Sequence, residues 1–312
     1  MRILLTLGGH GLSSRSTRGF AERRIEAGDA AGRLASALRA HEVIITHGHG
    51  LLSHWALEPA GDSHTVGNPF EVFTETVGVL DYTFQTEVGR VLGGDLVTVL
   101  TRIIVDPEDP AFDWPNKPIG PVYRDIEAAQ LLAYERGWTL IPEDDGVRRV
   151  VVSPEPRGVV EAAVIERLVE QGVSVICVGG GIPVTADLAP LGAVDVSIDE
   201  DLASGLLASM VGADRFVSLT DVEAVFDGWG TRHPRPITHS HPSELRRRRF
   251  EGRSIGPKVE AACRFVEATG GTAAIGSVVN AARVIEGSSG TQIGQTNDSS
   301  VAYGGAAAGT IV

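Results

Sequence analysis

The chain has 312 residues, 43% of them hydrophobic and 21% charged, the composition of a globular protein with ample material for a core. Its formal net charge of −13 lacks the basic face that binding to phosphate backbones needs, which argues against a nucleic-acid partner. Two cysteines are too few for a disulfide framework and no apolar run reaches the length of a membrane span, so the expected setting is cytoplasmic, with no membrane association.

Short apolar β-rich runs alternate with helical patterns along the chain, the signature of a mostly parallel sheet. The first run, Ile3–Leu7, ends in Gly8-Gly9-His10-Gly11. A helical pattern over Gly28–Arg39 leads to a second run, Glu42–Thr46, followed by His47-Gly48-His49-Gly50. Leu96–Val105 reads as one strand. Asp106–Arg157 is rich in proline and charge and too long for a simple connection; it predicts a loop, a helix and a hairpin forming a small protruding subdomain. Then come a helix over Val160–Gln171, a strand over Val173–Val178 ending in Gly179-Gly180-Gly181, and a strand over Asp195–Ile198. A helix over Ala203–Val211, a strand over Arg215–Leu219, a helix over Lys258–Gly270 and a strand over Thr272–Ile275 complete the series. In the last helix Val259, Ala262, Phe265 and Val266 share one face, and a glycine stops it. Arg246–Arg249 reads as a solvated helix face, His233, His239 and His241 as surface residues, and Cys177 and Cys263 as small core residues. The domain is expected to span residues 1–293, with a mobile tail of small, uncharged residues over 294–312.

Three glycine turns each directly follow an apolar strand, where helix N-termini and backbone N–H groups gather in open α/β sheets. Glycine lets backbone approach an anion closely, so the turns suit phosphate or carboxylate, although each alone also reads as a tight bend. Neither a G-x-x-x-x-G-K-[ST] loop nor a G-x-G-x-x-G turn is present, which counts against a Walker-type or dinucleotide site. The only lysines of the chain are Lys117 and Lys258, both in Gly/Pro-framed turns. A lysine so placed adds a mobile point charge able to follow a phosphoryl group.

LTLGGHGL, IITHGHG, DWPNKPIGPVY, VICVGGGIPV, VSIDEDLASGLLA, SLTDVEAVF and SIGPKVEAACRFVEATG occur in this order and together resemble carbamate kinase, of the amino acid kinase superfamily. The resemblance implies an open αβα sandwich with a mostly parallel central sheet and a small protruding subdomain, assembled as a homodimer. It implies reversible phosphate transfer between ATP and carbamate, with ATP or ADP and Mg²⁺. By position, Gly8 and Gly9 would hold the transferred phosphoryl group through backbone N–H groups, with His10 beside them. Gly11, His47, Gly48, His49 and Gly50 would bind the carbamate side, and Lys117 the small anionic substrate. Asp201 would orient the catalytic groups and Lys258 would neutralise nucleotide phosphates. Gly179, Gly180, Gly181, Thr220, Asp221, Val222, Phe226 and Gly256 would line the nucleotide pocket.

Three places depart from the family pattern. G-G-N-A becomes Gly8-Gly9-His10-Gly11, H-G-N-G-P-Q becomes His47-Gly48-His49-Gly50-Leu51-Leu52, and I-D-K-D becomes Ile198-Asp199-Glu200-Asp201. The third puts Glu200 where the family has a lysine that stabilises charge on the transferring phosphoryl group. Two readings follow. One is an ATP-dependent phosphotransferase acting on carbamate or a related small carboxylate-like acid. The other is a kinase-derived protein whose chemistry is lost or rebuilt, with His10 or His49 as a general base, or His10, His47, His49 and Glu200 as metal ligands without a recognised metal spacing.

Overall fold

The computed structural model describes residues 1–8, 28–29, 32, 34, 38–39, 41–48, 82, 85–189, 196–248, 250, 255–295 and 301–304. In chain order these form β1 (Arg2–Leu7), β2 (Glu42–His47), β3 (Leu96–Val99), β4 (Arg102–Val105), β5 (Lys117–Tyr123), α1 (Ile126–Arg136), β6 (Thr139–Glu143), β7 (Gly146–Val151) and β8 (Pro156–Val159). There follow α2 (Ala162–Glu170), β9 (Ser174–Val178), β10 (Ile182–Val184), α3 (Glu200–Met210), β11 (Arg215–Thr220), β12 (Phe226–Asp227), β13 (Arg235–Ser240), α4 (Pro242–Arg246) and α5 (Ile255–Thr269). The last elements are β14 (Thr272–Ser277), α6 (Ala281–Ile285), β15 (Thr291–Ile293) and β16 (Ala302–Tyr303).

A ten-stranded sheet runs in the order β12-β13-β15-β14-β11-β1-β2-β9-β3, with β16 added on β13. From β14 to β3 every neighbouring pair is parallel. Strands buried on both faces alternate between two cores. Leu4, Ile44, Cys177 and Phe216 point to the side covered by Ile165 of α2, Leu207 of α3 and Phe265 of α5. Ile3, Leu5, Val43, Ile45 and Val217 point to the opposite side, against Leu34, Leu38, Val88 and Val284 of α6. This is the expected αβα sandwich with its mostly parallel sheet, and among the described residues no helix is long and apolar enough to cross a membrane.

The run Leu96–Val105 is two strands, not one. After Val99 the chain leaves the main sheet at exposed Leu100, and β4 joins a second sheet, β10-β4-β8. The expected strand over Asp195–Ile198 is reduced to an isolated bridge between Val196 and Val152, and 195 lies outside the described residues. Between Asp106 and Arg157 a third sheet, β5-β7-β6, packs with α1, giving the helix and hairpin the sequence predicts. Asp125 caps α1 and Gly137, in the left-handed conformation, ends it.

Arg246, Arg247 and Arg248 each have a named partner, and Arg249 lies outside the described residues. Arg246 pairs with Glu260 and Glu267 of α5, and Arg247 with Glu244. Arg248 reaches the Tyr303 hydroxyl at 2.9 Å, and that hydroxyl donates to Asp227 at 2.8 Å. Tyr303 lies within the stretch expected to be a mobile tail, yet β16 pairs with β13 and Arg235 covers the Tyr303 ring at 4.0 Å. The other described tail residues, 294–295, 301 and 304, adjoin these strands.

Candidate functional site

At the carboxyl ends of three adjacent strands the alternation of core residues ends in a hydroxyl. Leu4 gives way to Thr6, Ile44 to Thr46 and Phe216 to Ser218, and the parallel register sets Thr6 opposite both Thr46 and Ser218. All three are buried on the face that α3 covers. Ser204 of α3 meets Thr46 at 2.8 Å and donates to the Glu200 carbonyl at 2.5 Å, while the Ser218 hydroxyl donates to Asp201 Oδ1 at 3.3 Å. This row seats the first turn of α3 over the strand ends, satisfying hydroxyls that would be costly to bury alone.

Asp199 caps α3, its Oδ1 accepting the N–H groups of Asp201 and Leu202, both at 3.0 Å. Acidic residues in this first turn also complement the helix dipole. Glu200 and Asp201 send their side chains to different lysines. Lys258, in the first turn of α5, donates to Asp201 Oδ1 at 3.0 Å and Oδ2 at 2.9 Å, with both side chains only 5% exposed. Lys117, at the start of β5, crosses from the subdomain sheet to donate to the Ile198 carbonyl at 2.9 Å and Glu200 Oε2 at 3.2 Å. The chain's only two lysines thus converge on one helical turn.

Burial and the neighbouring charges shift the groups of the cluster in opposing ways. Burial raises the Asp201 carboxyl, Lys258 pulls it back, and Asp199 and Glu200 add to the rise, leaving it pushed up to about 6. Burial acts to lower the Lys258 ammonium, but Asp201, Glu200 and Asp199 outweigh it, and the amine ends above its ordinary value. Lys117 behaves alike: burial lowers, Glu200 and Asp199 raise, and the raising groups win. Asp199 is raised, by burial first.

Gly8, Gly48 and Gly179, the glycines directly after β1, β2 and β9, donate their N–H groups within the sheet. Gly8 N–H donates to the Leu219 carbonyl, Gly48 N–H to Leu7 and Gly179 N–H to His47, each continuing the strand ladder. At these positions the backbone donors are committed to neighbouring strands rather than offered to an anion. What these residues contribute is a missing side chain. A Cβ on Gly8 would lie 2.9 Å from Lys258 Nζ, one on Gly48 2.8 Å from Glu200 Oε1, and one on Gly179 2.9 Å from Ser204 Oγ and 3.1 Å from the Glu200 carbonyl oxygen. Three strands therefore end in glycine because the first turn of α3 and the Lys258 ammonium occupy that space.

Of the residues expected to form the site, Gly8, Gly48, Lys117, Gly179, Glu200, Asp201 and Lys258 are brought together. His47 is buried at the end of β2. Thr220 closes β11 beside β1, its hydroxyl 3.0 Å from Asp221 Oδ1, and Val222 and Phe226 lie on the segment leading from it to the sheet's edge, where Phe226 packs on Trp229 at 5.3 Å. Gly180 is buried; Gly181 has φ +50°, and a Cβ there would lie 2.5 Å from Ile103 Cγ1. Gly256, in the first turn of α5, faces open space. Gly9, His10, Gly11, His49 and Gly50 lie outside the described residues, and among the described residues no group of three or more His, Cys, Asp or Glu is arranged to hold a metal ion. Sequence reading passed over Asp199, Ser204 and the hydroxyl row; the recurring pattern Leu-Leu-Thr, Ile-Ile-Thr, Phe-Val-Ser was the available signal.

Residues 1–277 match the amino acid kinase family. The carbamate kinase of Rhizobium meliloti is 38% identical over 302 residues, spanning 94% of this chain and 93% of its own. That of Pyrococcus furiosus is 39% identical over 315 residues, spanning 94% and 98%. Among solved structures, the carbamate kinase from Giardia lamblia bound to AMP-PNP superposes with a TM-score of 0.80 at 31% identity, covering 94% of this chain and 98% of the other.

Proposed function

Since the chain belongs to the amino acid kinase family, with carbamate kinases as its relatives over nearly its whole length, we propose that it is an ATP-dependent phosphotransferase working between carbamate and carbamoyl phosphate. The observation that carries this reading is the pair of lysines converging on the first turn of α3, one buried at the strand ends and one reaching in from the subdomain. In the direction of ATP formation, an oxygen of the ADP β-phosphate attacks the phosphorus of carbamoyl phosphate. The bond from phosphorus to the carbamoyl oxygen breaks, and carbamate leaves with the electron pair. No covalent bond to the protein is needed, and catalysis is positioning and charge stabilisation.

In this reading Lys258, fixed by Asp201, neutralises charge on the phosphates, and Lys117 holds the small anion. Asp199 and Asp201 act through the turn they shape. The nucleotide would enter with Mg²⁺ on its phosphate oxygens, since among the described residues no carboxylate cluster is arranged to hold the ion by itself. Bound there, it would offset phosphate charge. The segment Thr220–Phe226 and the turn at Gly179–Gly181 serve the nucleotide side.

A homodimer is the assembly that family membership supports, and sedimentation equilibrium should then return twice the 32.9 kDa chain mass. The alternative of lost or rebuilt chemistry is not favoured, because the carbamate kinase relatives span nearly the whole chain and both lysines reach the same helical turn. Purified protein given ADP, Mg²⁺ and carbamoyl phosphate should form ATP. Formation no faster than in protein-free buffer, with ADP binding intact by calorimetry, would sink the reading.

A further inference from the structure

Successive side chains of β11 alternate between the two cores, so Phe216 and Ser218 share the side that α3 covers. Phe216 fills the core there, and at Ser218 a hydroxyl takes the place of an apolar side chain. Ser218 is wholly buried, between Thr6 of β1 and Ile275 of β14 in the parallel register. The other hydroxyls of the row serve one another and the helix backbone: Thr46 and Thr6 meet Ser204, and Ser204 the Glu200 carbonyl. Ser218 instead donates to the Asp201 carboxylate, at 3.3 Å from the same Oδ1 that accepts Lys258 at 3.0 Å. The next residue, Leu219, accepts the Gly8 N–H at 3.0 Å, and a Cβ on Gly8 would stand 2.9 Å from Lys258 Nζ. The end of β11 therefore sets both the carboxylate that holds the lysine and the glycine that makes room for it.

We infer that Ser218 is a positioning residue for phosphoryl transfer, aiming the Asp201 carboxylate, and through it the Lys258 ammonium, at the reacting phosphate. The inference rests on the phosphotransferase reading. An ammonium on a flexible four-carbon stem is a point charge with no direction of its own, so it is placed only as well as its partner. The backbone of α3 fixes where the Asp201 side chain starts, but the terminal torsion of an aspartate is broad. Lys258 bonds both oxygens, so carboxylate and ammonium can swing together as one unit. A bond from the sheet to Oδ1 stops that swing. Burial strengthens it, because little water competes for the carboxylate. With no exposed surface, Ser218 cannot itself touch a substrate. Its effect therefore falls on charge stabilisation in the transition state rather than on substrate affinity.

Ser218→Ala should lower kcat for ATP formation about 10-fold, the lower end for a hydrogen bond to a charged group, because 3.3 Å is long. KM for carbamoyl phosphate should hold. Ser218→Thr, which keeps the hydroxyl, should retain most of kcat. Ser218→Cys, of similar size but a weak donor, should fall between, and it serves if the alanine variant does not fold. A double-mutant cycle then separates positioning from general support of the fold. In an Asp201→Ala background, already impaired, Ser218→Ala should cost less than about 2-fold more, since the group it acts through is gone. If the full loss recurs in that background, or if Ser218→Ala leaves kcat unchanged in the otherwise unaltered protein, the inference fails alone. If the unaltered protein makes no ATP from ADP and carbamoyl phosphate, the phosphotransferase reading fails and takes this inference with it.

Discussion

Replacing Lys258 with alanine should reduce ATP formation by roughly 1000-fold or more, the upper end for loss of one preorganised charge-stabilising group. The position of Asp201 makes the upper end the expectation. Without its partner this carboxylate would remain 5% exposed beside the reacting phosphates, adding repulsion to the lost attraction. A second readout follows in stability. Breaking a buried pair from one side costs about 3–5 kcal/mol when the remaining charge cannot be neutralised. Asp201 can take a proton, since it is already pushed up to about 6, and loss of Lys258 removes the group pulling it down. Its folded value then lies well above that of an unfolded aspartate. Between the two values the folded variant binds more protons than the unfolded chain, so its stability must fall as pH rises through that window. Urea denaturation at about pH 5.5 and about pH 8 should show the variant losing stability toward the higher pH, more steeply than the unaltered protein. A flat profile would mean that another group compensates Asp201.

Lys117→Met should give a different signature, a KM for carbamoyl phosphate raised about 10- to 100-fold as one charge-assisted contact is lost, together with a lower kcat. Lys117 is 23% exposed and sits between two bodies of the fold, so its ion pair contributes little to stability, about 1 kcal/mol or less. Methionine keeps most of the stem and hence its packing. Steady-state kinetics with a parallel thermal unfolding curve distinguish the two lysines: one variant unstable and inactive, the other stable with weak substrate binding. An unchanged KM for Lys117→Met would remove this residue from the substrate side.

Much of the fold was legible because the strands are apolar on both faces and end in glycine, which marks their limits. Leu96–Val105 was misread for a physical reason. No glycine or proline separates β3 from β4, and the change of sheet is set by pairing with β10 and β8, distant in sequence. Tyr303 was hidden for the same reason, its anchors being Asp227, Arg235 and Arg248. For the site, the scarcity of lysine pointed to Lys117 and Lys258. The glycines pointed to the strand ends, where Gly8, Gly48 and Gly179 leave space for the α3 turn and the Lys258 ammonium. Sequence cannot say whether an N–H after a strand faces a ligand or the next strand, since that depends on register. Glu200 was visible as an odd residue, but its reach to Lys117 over Gly48 depends on how the subdomain folds back.

An acyl phosphate acylates unprotonated amines, so a protein that handles one is exposed to damage from its own substrate. This chain has no lysine besides the two in the cluster, and its remaining fixed positive charge is arginine, which stays protonated. The two side-chain amines are held protonated by neighbouring carboxylates, which raise the pKa of both. Side-chain chemistry thus leaves the substrate almost nothing to modify, and an acylated lysine found by mass spectrometry would be an active-site lesion.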